Sequence, residues 1–122
     1  MGVVASYREL VVWQKSMVLV EQVYAIVRLL PVEERFALSD QMRRAAVSIP
    51  SNIAEGQARE AEREFAHFLS IAQGSRAELE TQLELCTRLN YVSIDEIKPA
   101  YLTCQEVGKM LRTLIRKLST TN

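Results

Sequence analysis

Along most of this chain apolar residues return every three or four positions, the period of a helix buried along one side. The first such stretch has a row at Leu10, Trp13, Met17, Val20, Tyr24 and Val27, and a second at Val12, Leu19, Val23, Ile26 and Leu30. It predicts a helix from about Glu9 to Leu30, behind a short lead-in over residues 1–8. Two rows are more apolar surface than a helix on the outside of a monomer needs. Either this helix is central in a bundle, or its second row meets another subunit. Val12, Leu19, Val23 and Ile26 are the candidate interface residues of the latter reading.

Pro31 stops this helix, and Pro31 to Phe36 reads as a turn or a single helical turn, with Glu33 and Glu34 where the helix dipole favours acids. Ser39 is a candidate N-cap for a second helix from about Asp40 to Glu55, with Gly56 as its C-cap. Its apolar face is Met42, Ala45, Ala46, Ile49 and Ile53. Pro50 falls inside it. A proline there removes a backbone donor and crowds the carbonyl of Ala46, at a cost of about 3 kcal/mol. Ser48, Ser51, Asn52 and Glu55 are polar groups able to repair the break or line a polar seam. The expectation is a continuous or gently bent helix through Pro50.

A charged linker over residues 57–62 leads to a third helix, from about Ala61 or Arg63 to Leu89. Its core face is Phe65, Phe68, Leu69, Ala72, Leu79, Leu83 and Cys86, with Gly74 expected to serve close packing. Ser93 with Glu96 is a capping box. It opens a fourth helix, from about Ile94 to Leu118, with the row Ile94, Ile97, Tyr101, Cys104, Gly108, Leu111, Ile115 and Leu118 and an early proline at Pro99. Ser119 to Asn122 is a polar tail. No stretch alternates with the period of two that marks a strand. Four helices on short connections predict an all-α, up-down-up-down four-helix bundle, a single domain over residues 1–122.

The 48% apolar and 25% charged residues are those of an ordinary globular domain. Nothing reads as a membrane span or signal peptide, so the expected location is the cytoplasm. Fifteen basic and fifteen acidic side chains balance to zero, which argues against a strongly basic nucleic-acid binder. The balance is local, however. Residues 59–88 are net −2 and residues 89–122 net +2. Lys109, Arg112, Arg116 and Lys117 follow the last acid, Glu106, mostly on one helix face. They read as a solvated face near a helix C-terminus or, with Arg43 and Arg44, as an RNA or DNA contact. Alternatively, at least one of Arg43 and Arg44 is expected to pair with an acid inside the bundle, such as Glu55, Glu78 or Glu80.

Catalytic chemistry finds no foothold. The single histidine, His67, makes one Glu-x-x-His with Glu64, where di-metal bundles need two. There is no phosphate loop and no nucleophile beside a base. In an antiparallel hairpin about Tyr91, Cys104 lies roughly 10 Å beyond the level of Cys86, too far for a disulfide. The reading is no catalytic residue, metal, cofactor or small-molecule substrate.

The run from Arg43 to Gly56, RRAAVSIPSNIAEG, resembles the signature of bacterial four-helix-bundle proteins encoded by intervening sequences of large-subunit ribosomal RNA genes. So do Tyr7 to Lys15, Glu34 to Leu38, Phe65 to Ser75 and Glu78 to Leu83. The resemblance covers nearly the whole chain. It implies a homopentameric ring of four-helix bundles without an established enzymatic activity. It also implies similarity to the accessory protein of diversity-generating retroelements, a basic pentameric barrel that works with a reverse transcriptase and nucleic acid. The zero net charge departs from that basic branch.

Overall fold

The helical periods of the sequence become four α-helices: α1 Val11–Val27, α2 Leu38–Ala58, α3 Glu62–Arg88 and α4 Ile94–Thr120, with 3₁₀ turns at Tyr7–Glu9 and Val32–Glu34. The structure is a computed structural model that describes residues 6–120, among which there is no strand. The lead-in at residues 1–5 and the tail end at residues 121–122 lie outside the described residues.

The helix ends show which local groups set them. α1 stops at Val27, before the expected Leu30, because the amides of Leu29 and Leu30 turn back to the carbonyls of Ile26 and Val27. These shorter bonds tighten the last turn ahead of Pro31. α2 begins at Leu38 rather than Asp40. Ser39 is buried in its first turn, and Glu34 caps instead, its Oε1 accepting from the Leu38 amide at 3.2 Å. α2 then runs unbroken through Pro50 and past Gly56 to Ala58. The left-handed residue that ends it is Glu60, at φ 60°, so Gly56 is not its C-cap. α3 closes as a Schellman motif. Asn90 takes φ 61°, its amide meets the Thr87 carbonyl, and the Tyr91 amide meets the Cys86 carbonyl. The capping box forms as expected: the Ser93 amide donates to Glu96 Oε1 at 2.9 Å, and the Glu96 amide to Ser93 Oγ at 3.1 Å.

α1 packs against α2 and α4, and α3 packs against the same two, while the diagonal pairs stay apart. Partners descend one helix as they ascend the next. Met42 meets Cys86, Ser48 meets Ser75 and Gly56 meets Phe68 between α2 and α3. Arg76 meets Cys104 and Gln73 meets Gly108 between α3 and α4, and Lys15 meets Glu106 between α1 and α4. One apolar cluster fills the four-helix bundle, with Leu19, Val23, Met42, Ile49, Ile53, Leu69, Leu79, Leu83, Val107 and Leu111 fully enclosed. No helix among the described residues is long and apolar enough to cross a membrane.

The two apolar rows of α1 divide differently from the interface expectation. Val12, Leu19, Val23 and Ile26 are buried in the chain's own core, so they are not a surface for another subunit. The other row is the more exposed one, with Met17 and Tyr24 open to solvent. The reason is angular. The row of Val12 sits between the flanks that touch α2 and α4, and the sequence does not say which flank has neighbours.

Candidate functional site

The motif from Arg43 to Gly56 lies along α2, and its polar members act at the seam with α3. Ser48 Oγ and Ser75 Oγ stand 2.8 Å apart across the two helices. The Asn52 side-chain amide donates to the Ser48 carbonyl at 2.8 Å and to Ser48 Oγ at 2.9 Å, bridging the turn that contains Pro50. Pro50 itself is buried. One turn farther on, Gly56 permits the closest approach of the two helices. A Cβ there would sit 2.7 Å from Phe68 Cβ and 3.1 Å from Phe65 Cδ1. Arg59 then clasps the corner, donating to Glu55 at 3.0 Å and to Glu64 at 3.1 Å while lying over the Phe68 ring. These bonds account for Ser48, Pro50, Asn52, Glu55 and Gly56 as a packing device.

A second polar cluster ties α3 to α4. Arg76 is only 12% exposed. It donates to Gln73 Oε1 and to Glu80 Oε1, each at 2.7 Å, while Gln73 donates to the Gly108 carbonyl at 3.0 Å. A Cβ on Gly108 would meet the Arg76 guanidinium at 2.7 Å, so the glycine makes room for the arginine to lie against α4. The hydrogen bond and charge of Arg76, with help from Tyr101 and Gln105, hold the Glu80 carboxyl below the usual carboxylate range. In return, Glu80 raises the Tyr101 phenol. A half-buried ion pair with its spare groups bonded is a cross-brace, and breaking one partner is what makes it costly.

The residues singled out for nucleic acid separate in space. Lys109, Arg112, Arg116 and Lys117 are exposed along the C-terminal part of α4. Lys109 and Lys117 border a groove of about 510 Å³ floored by Leu10, Val11, Val12, Met110 and Leu114. Arg43 and Arg44 lie at the other end of the bundle. Both reach Asp40 on their own helix, Arg44 at 3.1 Å and Arg43 at 4.0 Å. They do not pair with Glu55, Glu78 or Glu80: Asp40 is one helical turn back, while Glu55 is taken by Arg59 and Glu80 by Arg76. The structure therefore brings four of the six cations together and leaves two out.

The nucleophile and metal candidates are engaged elsewhere. Cys86 and Cys104 are buried thiols on different helices, not a disulfide. Burial pushes each up to about 11, which suppresses the thiolate that would react. Glu64 is held by Arg59, and the His67 ring stands edge-on to Phe68. Among the described residues no three His, Cys, Asp or Glu side chains come together as a metal site.

Apolar side chains that the pattern does not mark as exposed form the more telling surface. Phe36 is 86% exposed, Val32 77% and Ile94 73%. All three lie at one end of the bundle, on the α1–α2 turn and the start of α4. Periodicity puts Ile94 in the core row, but it is the first residue of α4 and stands exposed. The signal available in sequence was an aromatic in a turn between charges, Arg35-Phe36.

Residues 8–113 match the protein family described as 23S rRNA-intervening sequence protein. Among solved structures, the chain is similar to a protein with unknown function from the S23 ribosomal protein family of Bacteroides thetaiotaomicron VPI-5482. The two are 28% identical with a TM-score of 0.79, over 86% of this chain and 98% of that one. No curated protein matches the chain.

Proposed function

The chain belongs to the 23S rRNA-intervening sequence protein family, and on that premise we propose a non-enzymatic interaction or scaffold protein of the cytoplasm that works as a homo-oligomeric ring. Its single domain is an up-down-up-down bundle, supported by the opposed order of partners between α2 and α3 and between α3 and α4, and by the start of α1 lying beside the end of α4 and its end beside the start of α4. The ring is a pentamer, a number that comes from the family resemblance. The observation that carries the reading is the apolar surface left outside the core, above all Phe36, Val32 and Ile94. Exposed apolar surface of this kind marks interaction sites. Light scattering at micromolar concentration tests it: five chains per particle are expected, and a one-chain mass overturns the ring.

A second reading rests on a different observation. Lys109, Arg112, Arg116 and Lys117 are all exposed within two to three turns of α4, and a ring repeats that face in every subunit. It makes the protein an RNA- or DNA-binding accessory. The family description and the neighbour's family name both choose the probe, a fragment of 23S ribosomal RNA. Binding by phosphate contacts weakens linearly in log K with log salt. Affinity without salt dependence, or none at low salt, rules this reading out.

A further inference from the structure

Phe36 is the most exposed large apolar side chain among the described residues, yet it stands on a pinned turn. The amide of Glu34 meets the Pro31 carbonyl, that of Arg35 the Val32 carbonyl, and that of Ala37 the Glu34 carbonyl. The Glu34 carboxylate accepts from the Leu38 amide through one oxygen and from the Tyr91 hydroxyl, at 2.7 Å, through the other. The turn is thus tied to both α2 and the α3–α4 connection. It presents an aromatic ring to solvent with the Arg35 guanidinium 5.3 Å from its centre. A phenylalanine carries about 150–250 Å² of surface to bury, and here almost none of it is buried.

At the same end of the bundle, on the side of α1 that faces α4, lies a hollow of about 260 Å³. Ala25, Ile26 and Leu29 of α1 and Pro99 and Ala100 of α4 line it, with Gln22 and Glu96 as its polar members. Glu96 offers its Oε1 to the Ser93 amide and keeps its second oxygen for an incoming group. A cavity of about 150 Å³ already holds a benzene ring, so the hollow takes a phenyl side chain.

We propose that Phe36 of one copy of this chain seats in the Gln22–Ala100 hollow of a second copy, with Arg35 meeting the exposed Glu96 at its edge. Size, apolarity and charge all match: an aromatic ring flanked by a cation faces an apolar hollow edged by a carboxylate. Knob and hollow stand at the same end of the bundle but on different sides of α1, the knob on the turn to α2 and the hollow toward α4. The contact is therefore heterologous, the kind that closes into a ring or runs on as a filament. The inference rests on the oligomer reading above and names the surface that makes it.

Light scattering on two variants and their mixture tests it. Phe36→Ala removes the knob, and Ala25→Trp fills the hollow from an exposed position. Circular dichroism and melting confirm that each variant keeps its fold. Each alone is expected to fall from a multi-chain particle to one chain. Mixed in equal amounts, they are expected to form a particle of two chains, because one intact knob meets one intact hollow and the other pair is disabled. Variants that keep the wild-type mass, or a mixture that stays at one chain, overturn the contact and leave the ring standing on another surface. A wild-type protein of one-chain mass overturns both.

Discussion

At the scale of single residues, the glycines separate by what surrounds them. Gly56 lies where two helices nearly touch. Its alanine variant has to push Phe68 away, and overpacking of this kind costs about 1–3 kcal/mol. Gly56→Ala is expected to lower the melting temperature, read by circular dichroism. Gly74 is the opposite case. A Cβ there meets nothing within 4 Å, so the close packing anticipated for it does not occur within the chain. Gly74→Ala is expected to stabilise the folded chain by up to about 1 kcal/mol, the helix-propensity difference, in urea unfolding. The cysteines show burial at work. With both thiols pushed up to about 11, reaction with a thiol reagent at pH 8 is expected only on unfolding, and fast labelling of the native protein would contradict the enclosed positions.

At the scale of elements, helix ends and cross-braces decide what the apolar periods leave open. The Ser93 cap satisfies an orphan amide of α4, and Ser93→Ala is expected to cost about 1 kcal/mol. The Arg76–Glu80 pair braces α3 against α4 and carries a pH signature. The folded Glu80 carboxyl is held below its ordinary value. Its contribution is therefore present above the unfolded carboxylate pKa of about 4.3 and is lost as pH falls through the folded value. Glu80→Gln is expected to destabilise the protein at pH 7, with the gap to wild type closing in acid. A gap that is the same at both pH values would show that the charge of Glu80 plays no part. α2 adds a lesson in what a motif is for. The helix runs unbroken through Pro50, as expected, and its serine and asparagine bond to α3 and to one another rather than framing a site.

At the scale of the whole molecule, the two surfaces that carry the proposed functions stand at opposite ends of the bundle. Lys109, Arg112, Arg116 and Lys117 lie exposed along the C-terminal part of α4, and the three most exposed large apolar side chains, Phe36, Val32 and Ile94, lie at the end of the α1–α2 turn. The two functions considered make separable demands on these ends. Phe36→Ala is expected to change the particle mass without touching a cation, while Lys109→Glu with Arg112→Glu is expected to leave the mass unchanged and to flatten the salt dependence of any RNA binding. Loss of assembly in the second variant would show that the cationic end, not the turn, joins the subunits.

The number, order and approximate extent of the helices were legible in the chain because each buries one side, and burial of one side writes a period of 3.6 into the residues. The capping box was legible too, since it is closed by neighbours in sequence. Which of the two α1 rows is core, which glycine is crowded, where Arg43 and Arg44 find their acid and how Phe36 comes to stand bare were decided only in three dimensions. Each depends on the angle at which one helix meets another, a quantity that no single helix carries in its own pattern. For that reason Val12, Leu19, Val23 and Ile26 are apolar by sequence but interior by packing, and the most exposed large apolar side chain, Phe36, lies on the turn after them.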